Sequence, residues 1–131
     1  KKNKVCIGKR KQDQMLGGLW EFPGGKQKKN ETIKETIKRE ILEETNLIVT
    51  VNDAIDTVKH AYSHFKITLH AYFCSIDVSQ FGQEHPKSAS ELKWVHINDI
   101  DQYPFPKANK TIINLLKINK IFKWDNKKSY I

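Results

Sequence analysis

The sequence predicts an α/β (α+β) fold in which a mixed β-sheet lies between two helices. The chain has 131 residues, a length typical of one domain with its own core. Several short stretches alternate apolar and polar side chains, as strands do, and two longer stretches repeat apolar residues every three or four positions, as helices do. No repeat or linker separates them, so we expect one domain over residues 1–131.

The first half of the chain predicts two short strand-like stretches and one helix. Residues 4–10 form a short β-rich run, and residues 19–23 form a second apolar and aromatic run after a glycine pair. A helix is predicted over residues 32–46, because its isoleucines recur every four positions. These isoleucines are Ile33, Ile37 and Ile41.

The ends of this first helix are also indicated by the sequence. Thr32 and Glu35 have the spacing of a capping box, in which each side chain bonds the backbone N–H of the other. Asn46 is suited to end the helix, since asparagine accepts the left-handed backbone conformation nearly as well as glycine.

The second half predicts further strands and a second helix. The predicted strands cover residues 47–51, 55–62, 66–78 and 92–97. The second helix is predicted over residues 107–122, where apolar side chains again recur at helical spacing after two prolines. The polar tail, residues 123–131, is expected to fray.

Composition excludes several classes of protein. Hydrophobic residues make up 38% and charged residues 29%, which is ordinary for a globular protein and unlike a disordered one. No apolar run approaches the roughly 20 residues that span a bilayer, and no signal-peptide pattern opens the chain. Two cysteines do not form a disulfide framework. We therefore expect a cytoplasmic protein with no membrane partner.

The net charge of +8 favours anionic partners such as nucleotides or nucleic acid. Only two of the 23 basic residues, Arg10 and Arg39, are arginine, although arginine is the usual forked ligand of phosphates and bases. A proteome rich in lysine explains the charge equally well, so charge alone does not identify the partner.

Three carboxylates on the first helix point to chemistry. Glu40, Glu43 and Glu44 are spaced so that they share one helical face. An isolated pattern of this kind usually marks a solvated acidic face, but here a glycine pair and Glu31 precede it and Arg39 adjoins it. Clustered carboxylate oxygens, together with substrate phosphates, are what a hard divalent cation prefers.

The full spacing is Gly25, five residues, Glu31, seven residues, and then Arg39-Glu40-Ile41-Leu42-Glu43-Glu44-Thr45-Asn46-Leu47. It resembles the Nudix box, G-x5-E-x7-R-E-U-x-E-E-x-G-U, where U is aliphatic. Asn46 is the one departure, and it stands where the family has glycine. The resemblance implies a Nudix fold and hydrolysis of a nucleoside diphosphate linked to another group.

The resemblance also implies a metal site for Mg²⁺, or alternatively Mn²⁺. Glu43 and Glu44 correspond to the principal metal ligands, and Glu40 corresponds to a further ligand or to the base that activates water. Gly24 would supply its carbonyl oxygen to the metal.

Further residues of the family pattern would support this site. Arg39 would orient a carboxylate, and Glu31 would support the helix and the metal ligands. The family's auxiliary glutamate comes from a later loop, for which Glu84 and Glu91 are the candidates. Each of these two is equally explained as a surface residue.

Two Nudix branches that handle 8-oxoguanine compete. Residues 19–25, LWEFPGG, resemble the MutT-type 8-oxo-dGTP pyrophosphatases, in which Phe22 and a later Asn109 would contact the base. Arg10 and Lys26 would meet the phosphates. The alternatives are a core role for Phe22, a helix N-cap role for Asn109 and plain surface charges for the other two.

The second branch is the 8-oxoguanine-recognition domain at the C-terminus of adenine DNA glycosylases. Residues 60–65, HAYSHF, and residues 105–109, FPKAN, resemble that domain, in which Ser63 and His64 would contact the lesion and nucleic acid would be the partner. Such domains usually lack a complete Nudix box because they perform no hydrolysis, so the intact carboxylate set favours an enzyme.

The sequence therefore predicts a Mg²⁺-dependent Nudix pyrophosphatase whose substrate is a nucleoside triphosphate. We expect cleavage of 8-oxo-dGTP to 8-oxo-dGMP and pyrophosphate, with CTP or a dinucleoside polyphosphate as alternative substrates. Nudix domains normally begin with a strand before the one at residues 4–10, so we also expect this chain to lack its first strand.

Overall fold

A computed structural model describes residues 4–14, 16–61, 63–80, 82–87, 89–119 and 129–130. The described strands are β1 (Lys4–Lys9), β2 (Trp20–Glu21), β3 (Thr50–Ala61), β4 (Lys66–Ile76), β5 (Glu91–His96) and β6 (Ser129–Tyr130). The helices are α1 (Ile33–Thr45) and α2 (Lys107–Asn119). Two short 3₁₀ helices cover Val78–Gln80 and Ile97–Gln102.

The strands form one mixed sheet in the order β2-β1-β6-β4-β3, with β5 also paired to β1. Strand β6 runs parallel to β1 and antiparallel to β4. The other pairs are antiparallel, and β3 and β4 form the longest ladder. The predicted mixed sheet is confirmed.

Each helix covers a different part of the core. Ile112, Ile113 and Leu116 of α2 pack in one apolar cluster with Ile7 and Phe73 of the sheet. Ile41 of α1 packs in a second cluster with residues that follow the helix and with the end of β4, namely Leu47, Val49, Cys74 and Ile76. The sheet thus lies between two helices, as predicted.

Both cysteines lie inside this core. Cys6 on β1 and Cys74 on β4 are buried free thiols. Burial raises the pKa of each thiol to about 12, since the charged thiolate is disfavoured away from water.

The ends of α1 match the sequence prediction. The Glu35 N–H donates to Thr32 Oγ1 at 3.1 Å, and the Thr32 N–H donates to Glu35 Oε1 at 2.8 Å. Asn46 follows with φ 66°, in the left-handed region, and its N–H donates to the Leu42 carbonyl. The capping box and the asparagine terminus are both confirmed.

Several element boundaries differ from the prediction. Residues 47–49 are not part of a strand, because they carry the chain from α1 to the sheet with Leu47 and Val49 buried. One strand with register shifts around Ala54 replaces the two predicted over 47–51 and 55–62. Position 62 lies outside the described residues.

Later differences concern the C-terminal half. Strand β4 ends at Ile76, because a 3₁₀ helix begins at Val78, and the 3₁₀ helix at Ile97–Gln102 was not predicted. Helix α2 is described to Asn119, so residues 120–122 of the prediction lie outside the described part. Fraying was the wrong prediction for Ser129–Tyr130, which pair with β1 and β4, while the rest of the tail is not described.

The expectation that this chain lacks the family's first strand stays a prediction, since the structure describes the chain only from Lys4 onward. Within the described residues, β6 is the one strand between β1 and β4, and it reaches only Val5, Ser75 and Ile76. In the same part of the chain, no helix has the length and apolar run needed to cross a membrane.

A charged clamp holds the loop before α1 against that helix. Arg39 donates to both oxygens of Glu31, from Nε at 2.6 Å and from Nη2 at 3.0 Å. The Thr36 hydroxyl and the Lys28 N–H also donate to Glu31 Oε1, at 2.8 and 2.9 Å. The Arg39 guanidinium and these donors lower the pKa of Glu31 to about 2, because they favour its ionised form.

The left-handed conformation of Asn46 generates a stability prediction. Asn46→Ala should lower the free energy of unfolding by about 1 kcal/mol, because a Cβ disfavours this conformation unless the side chain compensates. Asn46→Gly should lower it less. Urea denaturation of both variants measures the difference, and an alanine variant as stable as the glycine variant would show that the left-handed backbone at position 46 does not limit stability.

The lowered pKa of Glu31 generates a pH prediction. Its ionised form stabilises the fold above its ordinary pKa of 4.5, and this contribution is lost as pH falls from about 4.5 through about 2. Wild type should therefore be more stable than Glu31→Gln at pH 6, and the gap should close towards pH 2. Urea melts at stepped pH values test this, and a gap that does not change with pH would exclude the charge as its cause.

Candidate active site

The three carboxylates of α1 lie in different environments. Glu40 Oε1 accepts from Arg39 Nη1 at 2.6 Å, and the Glu40 side chain is 18% exposed. Glu43 lies 3.2 Å from the same nitrogen, and its side chain is 53% exposed. Arg39 therefore compensates the charge of both carboxylates while it bonds Glu31.

Glu44 is the carboxylate that faces the loop before α1. Its Oε2 accepts from the Gly24 N–H at 2.9 Å. Burial raises the pKa of Glu44 to about 7, and the charges of Glu21 and Glu40 act in the same direction. The Gly24 N–H and Arg10 oppose this shift without cancelling it. The surroundings of Glu44 thus disfavour an isolated negative charge on its carboxylate, which a bound proton or a nearby cation would compensate.

The glycine pair brings the loop close to these carboxylates. A Cβ at Gly25 would overlap the Glu40 carboxylate, so glycine is required for this approach. A Cβ at Gly24 would meet no atom within 4 Å. The two glycines therefore differ: Gly25 makes room for Glu40, and Gly24 contributes its backbone to Glu44.

The donor set suits a hard divalent cation. It consists of the carboxylate oxygens of Glu40, Glu43 and Glu44, which are hard donors of the kind that Mg²⁺ and Mn²⁺ accept. Within the described residues, no three His, Cys, Asp or Glu side chains converge into a ready metal cage.

A cavity of about 690 Å³ opens beside these groups. Near α1 its lining includes Gly24, Gly25 and Glu44. Near α2 it includes Asn109 and also Phe22, whose ring packs against Phe105. Arg10 and Lys26 also line it. The volume lies within the range of about 300–1,000 Å³ that is typical of small-molecule sites.

Arg10 and Glu21 form an ion pair at this cavity. Arg10 Nη1 lies 2.8 Å from Glu21 Oε1, and both half-buried side chains contribute to the lining. This ion pair therefore positions the Arg10 guanidinium in the cavity that Glu44 also lines.

The aromatic and amide groups predicted for the base are also here. Phe22 is half-buried and packs against Phe105 with ring centroids 5.2 Å apart. Asn109 is the third residue of α2, because the helix begins at Lys107, so the N-cap alternative is wrong. Both residues line the cavity.

Other predicted residues do not line this cavity. Ser63 and His64 are exposed in the turn between β3 and β4. Glu84 accepts from the Gly82 N–H in its own loop, at 3.0 Å, and Glu91 lies 3.8 Å from Lys93. The loop of Glu84 adjoins the end of α1, since the Lys87 N–H donates to the Glu44 carbonyl.

Phe65 and Leu16 are among the lining residues that the sequence did not indicate. Phe65, directly after His64, lines the cavity, and so does Leu16 in the loop between β1 and β2. An aromatic residue in a polar turn was the available signal for Phe65. Leu16 has φ 59°, which no sequence pattern indicated.

Comparison with known proteins gives a consistent family. The model of the NUDIX domain matches residues 1–115. The chain is 34% identical over 123 residues to "8-oxo-dGTP diphosphatase" of Buchnera aphidicola from Schizaphis graminum, covering 94% of this chain and 91% of that protein. It is 30% identical over 106 residues to "CTP pyrophosphohydrolase" of Escherichia coli K12, covering 81% and 76%.

A solved structure agrees with these matches. The solution structure of "DNA Mismatch Repair Protein MutT (Family Nudix Hydrolase)" from methicillin-resistant Staphylococcus aureus 252 superposes with a TM-score of 0.67 and 31% identity. The superposition covers 89% of this chain and 88% of that one. With the motif, the fold and the family model in agreement, this chain belongs to the Nudix domain family.

Proposed function

We propose that this protein is a Mg²⁺-dependent pyrophosphatase that hydrolyses 8-oxo-dGTP to 8-oxo-dGMP and pyrophosphate, removing an oxidised nucleotide from the cytoplasmic pool. The observation that carries the proposal is that one cavity contains both Glu44 of the Nudix box and the Phe22–Asn109 pair. A nucleotide placed there has its phosphates beside Glu44 and its base beside an aromatic ring and an amide, while Glu40 and Glu43 lie on the same helix outside the cavity lining.

The metal ion would be bound by carboxylates of α1 and by the backbone of the loop that precedes this helix. Glu40, Glu43 and Glu44 would hold Mg²⁺ or Mn²⁺ together with the carbonyl oxygen of Gly24. The bound ion would neutralise charge that develops on the phosphate oxygens during in-line attack of water on phosphorus. Glu31 supports this set through Arg39, which bonds Glu31, Glu40 and Glu43 together.

The remaining residues bind and orient the substrate. Arg10 and Lys26 supply positive charge for the triphosphate. Phe22 offers a ring face against the base. The Asn109 carboxamide both donates and accepts hydrogen bonds, as recognition of the altered purine edge requires. Either Glu40 or the auxiliary glutamate, Glu84 or Glu91, would accept the proton of the attacking water.

CTP is the second candidate substrate. The relative named "CTP pyrophosphohydrolase" favours it, and the Nudix box is equally suited to it. Lesion recognition within an adenine glycosylase has less support, since Ser63 and His64 lie outside the cavity lining and the carboxylate set is complete.

A nucleotide panel tests the proposal. With Mg²⁺, 8-oxo-dGTP should be hydrolysed with a higher kcat/KM than dGTP or CTP, measured as monophosphate and pyrophosphate release. Glu43→Gln should lower kcat by about 100-fold or more, whereas Asp99→Asn, an exposed residue outside the cavity, should not. Absence of turnover by the folded protein would refute a hydrolase, and highest activity on CTP would favour the second candidate.

The glycine pair provides a matched test of carboxylate geometry. Gly25→Ala should displace the Glu40 carboxylate and lower kcat by about 100-fold, with little change in melting temperature because the added Cβ overlaps the flexible Glu40 side chain and no backbone atom. Gly24→Ala, which adds its Cβ in open space, should lose much less activity. Equal losses in the two variants would show that the position of Glu40 does not matter.

A further inference from the structure

Two large apolar side chains are half-exposed at the cavity. Leu16 is 39% exposed and Phe65 is 40% exposed, and both contribute to the lining. Among the described residues, the other exposed large apolar side chains do not line it. They are Leu42, Ile48 and Ile118. The exposed surface of Leu16 and Phe65 therefore faces a space that a ligand could occupy.

These two side chains come from separate loops. Leu16 lies between β1 and β2, and Phe65 lies in the turn that joins β3 to β4. Leu16 has φ 59°, a conformation that leucine rarely adopts. Strained backbone of this kind persists where the surrounding structure holds it, and it is concentrated at ligand sites. The strain places an apolar side chain at the cavity, although asparagine or glycine would fit the backbone better.

The same cavity already contains a fixed aromatic surface. Phe22 packs against Phe105, and this contact limits its movement. Phe65 adds an aromatic ring from the turn between β3 and β4, and Leu16 adds an aliphatic group from the loop between β1 and β2. A flat aromatic ligand suits such a lining, because every base has a π-face that stacks on aromatic side chains. The charges of Arg10 and Lys26 in the same lining complement the phosphates of a nucleotide.

We infer that Phe65 and Leu16 form an apolar clamp that contacts the base of the bound nucleotide and favours purines over pyrimidines. The inference rests on the proposed function, because it assumes that a nucleotide occupies this cavity. The larger face of a purine covers more of both side chains than a pyrimidine does, so the clamp contributes more to purine binding.

Steady-state kinetics with 8-oxo-dGTP and CTP test the clamp. Phe65→Ala should raise KM for 8-oxo-dGTP by about tenfold, while kcat stays within about twofold. KM for CTP should rise less. Phe65→Tyr, which keeps the ring, should restore KM. Leu16→Asn, which suits the left-handed backbone, should raise KM without lowering the melting temperature. Ile48→Ala, exposed but outside the cavity, is the matched control.

Calorimetric binding separates the clamp from the proposed reaction. Phe65→Ala should weaken binding of 8-oxo-dGMP and leave binding of inorganic pyrophosphate unchanged, because only the former has a base. If wild type hydrolyses no nucleotide yet Phe65→Ala still weakens 8-oxo-dGMP binding, the proposed function fails and the clamp stands. An unchanged KM and unchanged 8-oxo-dGMP affinity in Phe65→Ala would overturn the clamp. An equal loss of pyrophosphate binding would overturn it too.

Discussion

The contact between Arg39 and Glu31 is the interaction on which the site depends. Three carboxylates on one helical face repel each other by about 0.2–0.5 kcal/mol per pair. The loop that carries Gly24 and Gly25 is conformationally free by itself, because glycine restricts the backbone least. Arg39 bonds Glu31 with two nitrogens and also contacts Glu40 and Glu43. One side chain therefore reduces the repulsion along α1 and fixes the loop that brings Gly24 and Gly25 to the carboxylates.

The second constraint is the position of the cavity relative to the two helices. Glu44 belongs to α1 and Asn109 belongs to α2, and these helices pack on separate apolar clusters. The cavity reaches residues of both, so the fold brings charged and aromatic groups from distant parts of the chain into one space. A substrate with an anionic end and a flat aromatic end matches this distribution of groups.

Local features could be predicted from the sequence, and features that depend on distant packing could not. The capping box at Thr32 and the left-handed Asn46 involve contacts within four residues, so the pattern alone is sufficient. Leu47 and Val49 resemble a strand because burial and strand pairing demand the same apolar side chains. The Nudix box identified the carboxylates, but Leu16 and Phe65 belong to no spacing pattern, and only the folded chain brings them to one cavity.

The two buried cysteines have a consequence for the conditions in which the protein works. Thiols are oxidised as thiolates at accessible positions, and the first product is a sulfenic acid that can progress to irreversible forms. Cys6 and Cys74 lie in the core, and burial raises the pKa of each to about 12, so they remain protonated and shielded. A protein that removes oxidised nucleotides is needed most when peroxides are abundant. Burial of Cys6 and Cys74 thus limits the reaction of both thiols with such oxidants.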